Sequence, residues 1–177
     1  MQEKFNPKEI ELVIGLGNPG EEYENTYHNV GCLFVDYITE NLPKTANYKF
    51  IKSSVFMNES GKFVKKEVDS FLKFTELIYR RGKILIVHDD SDLVLGQYKL
   101  SFGSGSAGHK GVESVINALG TKDFWRLRIG IRDAKPRETL RKTTRKKAGE
   151  FVLQKISSAN KKILEKVFEE VSRRLAA

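Results

Sequence analysis

The chain holds one cysteine, Cys32, in 177 residues. That excludes an intrachain disulfide and any C-x-x-C metal knuckle, and it suits a reducing, cytoplasmic compartment. Long apolar runs are missing too. The longest aliphatic stretch is Ile84-Leu85-Ile86-Val87, far short of the ~20 residues that span a bilayer, so no membrane association is expected. Met1 to Glu11 is polar and mixed in charge, without the apolar core of a signal peptide. Several catalytic signatures are also lacking. No G-x-x-x-x-G-K-[ST] loop marks a nucleotide site, and no H-E-x-x-H pair marks a zinc hydrolase. No G-x-S-x-G elbow offers a serine nucleophile.

What is present is a basic excess confined to one end. The formal net charge is +8, yet residues 1–131 balance at 17 basic and 17 acidic side chains. Residues 132–177 carry 14 basic against 6 acidic. The densest run, Arg132 to Lys147, sets eight basic residues against Asp133 and Glu138. Such a run attracts polyanions through salt-sensitive phosphate contacts. It contains no aromatic residue, so it suits backbone contact rather than base stacking. A solvated loop and helix face is the plain alternative.

The periodicity predicts an α/β fold over residues 1–177, a single domain whose twisted, mixed but mostly parallel sheet is flanked by helices. Ile10, Leu12 and Ile14 alternate in a short strand that ends at Gly15. A polar loop follows, then a helix with Val30, Phe34, Tyr37, Ile38 and Leu42 on one face. Tyr48 to Val55 reads as a strand, and Ser60 to Phe74 as an amphipathic helix. Lys83 to Asp89 is the strongest strand, suited to a sheet centre. Gly96 to Phe102 reads as its neighbour; this strand and Tyr48–Val55 are the two candidates for antiparallel pairing. A helix should follow the glycine loop 103–111. Arg126 to Ile131 alternates Leu127, Ile129 and Ile131 inward with Arg126 and Arg128 outward. Ser157 to Leu175 is a last amphipathic helix.

The three histidines, His28, His88 and His109, lie at strand ends or in glycine-bearing loops, where α/β proteins gather reactive groups. Singly, each has an ordinary structural explanation. The glycine loop before the third helix could cradle a phosphate, and His88-Asp89-Asp90 with Asp92 could suggest a metal. Neither has a supporting pattern. A His–Asp pair that activates water is the minimal equipment for hydrolysing an ester.

Four segments, taken in order, resemble the bacterial-type peptidyl-tRNA hydrolase family. They are Gly15-Leu16-Gly17-Asn18-Pro19-Gly20 with Tyr23 and Thr26-Tyr27-His28-Asn29-Val30-Gly31; Phe56-Met57-Asn58-Glu59-Ser60-Gly61; His88-Asp89-Asp90-Ser91-Asp92-Leu93; and Gly108-His109-Lys110-Gly111 continued by Phe124 to Ile131. Glu150-Phe151-Val152-Leu153 before the last helix also fits. The resemblance implies a cytoplasmic monomer without metal or organic cofactor. It would cleave the ester between a peptide and the terminal ribose of tRNA. His28 would be the base and Asp89 its orienting partner. Asn18, Asn58 and His109 would position the peptide, water or tRNA end, with Tyr23 nearby and Met57 and Leu93 as apolar wall. Arg128 would meet a tRNA phosphate. An RNA-binding protein on the same fold without hydrolysis is the alternative.

The chain also departs from the family pattern. Lys110 stands where asparagine is usual, which predicts altered binding of the tRNA end. Tyr27 replaces an arginine, and Ser101 stands where a basic residue is common. The interval between His28 and Met57 is short, and no proline precedes Phe56-Met57-Asn58. These changes bear on substrate affinity more than on reaction type.

Overall fold

The computed structural model describes residues 4–41, 48–71, 81–133 and 149–176. Leu42, the end of the second predicted helix beyond Phe71, and most of the basic run fall outside the described residues.

Five strands form one sheet: β1 (Leu12–Gly15), β2 (Lys49–Lys52), β3 (Ile84–Val94), β4 (Tyr98–Phe102) and β5 (Trp125–Arg132), in the spatial order β2-β1-β3-β5-β4. Among the described residues, four helices of at least ten residues accompany them: α1 (Val30–Asn41), α2 (Ser60–Phe71), α3 (Lys110–Leu119) and α4 (Ser158–Ala176). The strands β2, β1, β3 and β5 run parallel, and only β4 is antiparallel. The expected mixed, mostly parallel sheet is therefore present. Antiparallel pairing of the Tyr48–Val55 segment is corrected: β2 lies parallel to β1, Val13 opposite Phe50. The reason is the connection. A helix between two strands carries the chain back to its starting end, which makes the second strand parallel.

Each central strand is buried on both faces because its alternate residues enter two different cores. Val13, Leu85, Val87, Leu127 and Ile129 pack with Phe34 and Ile38 of α1 and Leu164, Phe168 and Val171 of α4. Leu12, Ile14, Ile84 and Ile86 pack with Val64 and Val68 of α2 and Val112 and Val115 of α3. Covering on both sides explains why β3 reads as an unbroken aliphatic run rather than an alternation. β3 also runs past Asp89 to Val94, with a register shift against β5 between Asp90 and Val94.

The connections place the chemistry. From β1 the chain passes through α1 to β2 on one side, and then crosses to β3 on the other. This reversal opens a crevice beyond the carboxyl ends of β1 and β3, the usual ligand position in such sheets. Gly31 brings α1 against that crevice. A Cβ there would lie 2.3 Å from the Val87 carbonyl oxygen and 2.6 Å from that of Leu16, so only glycine allows the approach. Gly61 does the same for α2 on α3, where a Cβ would sit 2.0 Å from the Ser114 carbonyl oxygen.

Candidate active site

His28 lies in a single 3-10 turn, Tyr27–Asn29, between the β1 loop and α1. The close seating of α1 carries its ring over the end of β3. Its Nδ1 meets Asp89 Oδ1 at 2.7 Å. His109 reaches the same oxygen from the other side, Nε2 to Oδ1, at 2.9 Å. The two imidazole centroids are 4.9 Å apart.

The tautomers follow from the partners. The Val112 backbone N–H donates to His109 Nδ1 at 3.2 Å, capping α3. That nitrogen is an acceptor, so the ring proton sits on Nε2 and is donated to Asp89. Asp89 then accepts a second N–H from His28 Nδ1, which leaves His28 Nε2 as a lone pair. Among the described residues nothing bonds that nitrogen, and the side chain keeps 12% of its surface accessible.

Asp89 is itself 3% exposed. Burial works against its charge, but His109 and His28, through electrostatic attraction and both hydrogen bonds, hold its carboxyl well below the usual carboxylate range. It stays an anion throughout the neutral range and orients His28.

The same three residues bring ligand-type atoms within 4.8 Å of one another, as a metal site would. Their hydrogen bonding favours another use. A metal on His109 Nε2 would drive the ring proton to Nδ1, directly against the Val112 N–H. Asp89 serves instead as a shared acceptor. His88-Asp89-Asp90 with Asp92 does not form a metal cluster among the described residues. His88 donates from Nδ1 to the Asp89 carbonyl oxygen at 2.7 Å, and Asp90 pairs with Arg128 Nε at 2.5 Å.

The amides come from two neighbouring loops. Asn18 is fixed by Asn29: its N–H donates to Asn29 Oδ1 at 2.8 Å, and its carbonyl accepts from Asn29 Nδ2 at 2.9 Å. Its Oδ1 accepts the Met57 N–H at 2.8 Å. The Asn18 Nδ2 donors therefore remain for a ligand. Met57 is 4% exposed and packs in the core with Val64 and Val112, close under Gly111. Tyr23 packs edge-on against Phe56, with centroids 6.0 Å apart at 89°, and Phe56 is 48% exposed. The pair forms an aromatic rim. Asn58 and Lys110 share an open groove of about 680 Å³ with Lys62, Glu113, Ser114 and Asn117. Leu93 is half-buried, at the far end of β3.

Two expected orientations are corrected. Arg126 does not face solvent: it is 1% exposed and donates from Nη1 to the Gly105 carbonyl at 2.8 Å. Burial, then Arg128 nearby, lower its pKa to about 10, against the attraction of Asp90. Arg128 is largely buried and committed to Asp90, and Ser101 is buried opposite Arg126. The loop 103–109 folds over this end of the sheet, a feature that strand alternation does not encode. Cys32 lies under the loop that follows β1, beside Gly17 and 3.5 Å from the Gly15 carbonyl oxygen. Burial pushes its thiol up to about 12, so it is no nucleophile.

Sequence reasoning missed Asn29, which orients Asn18, and the structural weight of His88. His88 is 2% exposed and packs edge-on against His109, with centroids 4.7 Å apart. Burial, then His109, push its pKa well below the usual 6.5, overriding the attraction of Asp89. The unfolded chain binds a proton at His88 below about pH 6.5, while the folded chain does not. The stability His88 contributes is therefore complete above that pH and is lost progressively as pH falls below it. Denaturant unfolding at pH 7.5 and 5.5 should show this loss in wild type and a shallower one in His88→Asn.

The family model described as peptidyl-tRNA hydrolase matches residues 12–177. A peptidyl-tRNA hydrolase of Thermodesulfovibrio yellowstonii is 37% identical, covering 90% of this chain and 88% of its own. One of Marinobacter nauticus is 37% identical over 94% and 87%. The crystal structure of the Acinetobacter baumannii enzyme superposes with a TM-score of 0.76 at 26% identity, covering 95% of this chain and 87% of that one. With the family model matching nearly the whole length and relatives 37% identical across most of both chains, the chain belongs to the peptidyl-tRNA hydrolase family.

Proposed function

We propose that this chain, acting as one domain, hydrolyses the ester joining a peptide, or an N-blocked amino acid, to the 3′-terminal ribose of tRNA. The observation that carries the mechanism is the shared Asp89 Oδ1, which fixes His28 with Nε2 as its free lone pair. A water molecule at Nε2 gives up a proton to it as its oxygen attacks the ester carbonyl carbon. The resulting oxyanion accepts hydrogen bonds from the Asn18 Nδ2 donors, with Asn58 at the groove side. Collapse breaks the bond to the ribose oxygen, which takes the proton back from His28 Nε2. The products are a free carboxylic acid and tRNA with its terminal hydroxyl restored. His109 holds Asp89 in place and keeps its charge low in energy.

The substrate's shape matches the surroundings. The single-stranded 3′ end can stack on exposed aromatics, here Phe56 with Tyr23 packed edge-on against it, beside the open groove of Asn58 and Lys110. Lys110 and Lys62 offer charge to its phosphodiesters, and Lys110 does so where an asparagine could not. Arg128, paired with Asp90, offers the acceptor stem only its remaining donors, which weakens the phosphate contact expected of it. The chain acts as a cytoplasmic monomer without metal. Among the described residues no helix is long and apolar enough to cross a membrane.

Release of tRNA from N-acetyl-aminoacyl-tRNA, measured with a chelator present at low and moderate salt, tests the reading. Turnover is expected, unaffected by chelation, with KM rising as salt rises because phosphate contacts are screened. Salt-sensitive binding without release would replace it with an RNA-binding protein on the same fold.

A further inference from the structure

His28 is held from two directions, and only one of them is the Asp89 carboxylate. The other is a strap, residues 151–156, that runs across the segment carrying His28. The His28 N–H donates to the Val152 carbonyl at 2.7 Å, and the Tyr27 N–H to that of Gln154 at 3.2 Å. The Ile156 N–H donates to the Asn25 carbonyl at 2.7 Å, and Thr26 forms an antiparallel bridge with Lys155. The Lys155 ammonium closes the far side on the carbonyls of Glu21 and Glu24, at 3.2 and 2.6 Å.

Side chains fasten the same junction. Tyr27 is 5% exposed and lies nearly parallel to Phe151, with centroids 4.8 Å apart at 20°. Its phenol oxygen accepts from Asn160 Nδ2 of α4 at 2.6 Å. Tyr27 thus ties the His28 turn to both the strap and the last helix, by stacking and by one hydrogen bond.

We propose that Tyr27, clamped by Phe151 and Asn160, is a positioning residue for His28. It acts through the backbone, while Asp89 acts through the ring. A base fixed only at its ring tip swings about that bond, and a displacement near 1 Å costs up to ~10²-fold in rate. The inference rests on the hydrolase reading given above.

The test uses Tyr27→Ala, Tyr27→Phe, Asn160→Ala and the Tyr27→Phe/Asn160→Ala double variant, assayed well below their melting temperatures and corrected for folded fraction. Amide hydrogen exchange at His28 is followed in parallel. Tyr27→Ala should lower kcat by roughly 10-fold or more with KM within about twofold, and should speed exchange at the His28 amide. Tyr27→Phe keeps the stack and loses only the Asn160 bond, so it should fall by a few-fold. Asn160→Ala should match it, and the double variant should be no worse than either, because all three remove the same bond. Unchanged kcat in Tyr27→Ala despite faster His28 exchange would overturn the proposal. So would a rise in KM alone, which would make the strap a substrate contact. Were wild type inactive, the hydrolase reading would fall by itself, and unaltered His28 exchange in Tyr27→Ala would still overturn the strap.

Discussion

His28→Ala is expected to lower kcat for N-blocked aminoacyl-tRNA by roughly 10²–10⁴-fold, the range for losing a positioned general base. KM should stay within about threefold, and so should the equilibrium affinity for deacylated tRNA. The separation follows from geometry. His28 is bonded at Nδ1 and at its amide, and neither bond faces the groove formed by Asn58, Lys62 and Lys110. Removing the ring takes away the proton acceptor without touching the lysines. Residual turnover would come from the Asn18 and Asn58 donors, which do not depend on the base. An equal loss of tRNA affinity would instead make His28 a binding group.

Asp89→Asn should come close to the same loss, on the order of 10²–10³-fold in kcat, although it keeps size and shape. Two effects combine. The amide is neutral, so the imidazolium formed as His28 takes its proton loses its counter-charge. The amide also has a donor side. If Nδ2 turns toward His28, it donates to Nδ1 and drives the ring proton to Nε2, the nitrogen that must be free. A tautomer reversal of this kind costs a serine protease about 10⁴ in kcat. His109 limits the damage, since its Nε2–H also seeks the amide oxygen and can hold it in place. The variant should therefore show a large kcat effect, little change in KM, and a near-native fold by circular dichroism.

The fold was largely legible in residue order. The aliphatic run at 84–87 marks the sheet centre because both its faces are covered, and the helix faces at Val30–Ile38 and Leu164–Val171 pack where their spacing puts them. The direction of β2 was less plain, since period-two alternation carries no polarity. The helix between β1 and β2 held that information, as a crossover. Arg126 and Arg128 show a different limit. Their place on the face opposite Leu127 and Ile129 was readable, but a loop from elsewhere in the chain covers that face, and the carbonyl of Gly105 takes one arginine while Asp90 takes the other.

The site divides the same way. Asn18, His28, Met57, Asn58, Asp89 and His109 were expected from the motifs, and Lys110 from a departure within one of them. What no motif shows is how they share hydrogen bonds. Asn29 fixes Asn18 across 11 residues of loop, and one carboxylate oxygen serves two histidines that are 81 positions apart in sequence. Tyr27 looked like a lost arginine. In the fold it is a buried stacking residue, so its replacement changes the support of His28 rather than leaving it without any.

The account turns on which nitrogen of each ring carries the proton, and ¹⁵N imidazole spectra of the free protein near neutral pH read that directly. The prediction is that the proton of the neutral imidazole sits on Nδ1 in His28 and on Nε2 in His109, each bonded to the Asp89 carboxylate. A His28 protonated at Nε2 would contradict it, because the nitrogen assigned to take the proton from water would already hold one.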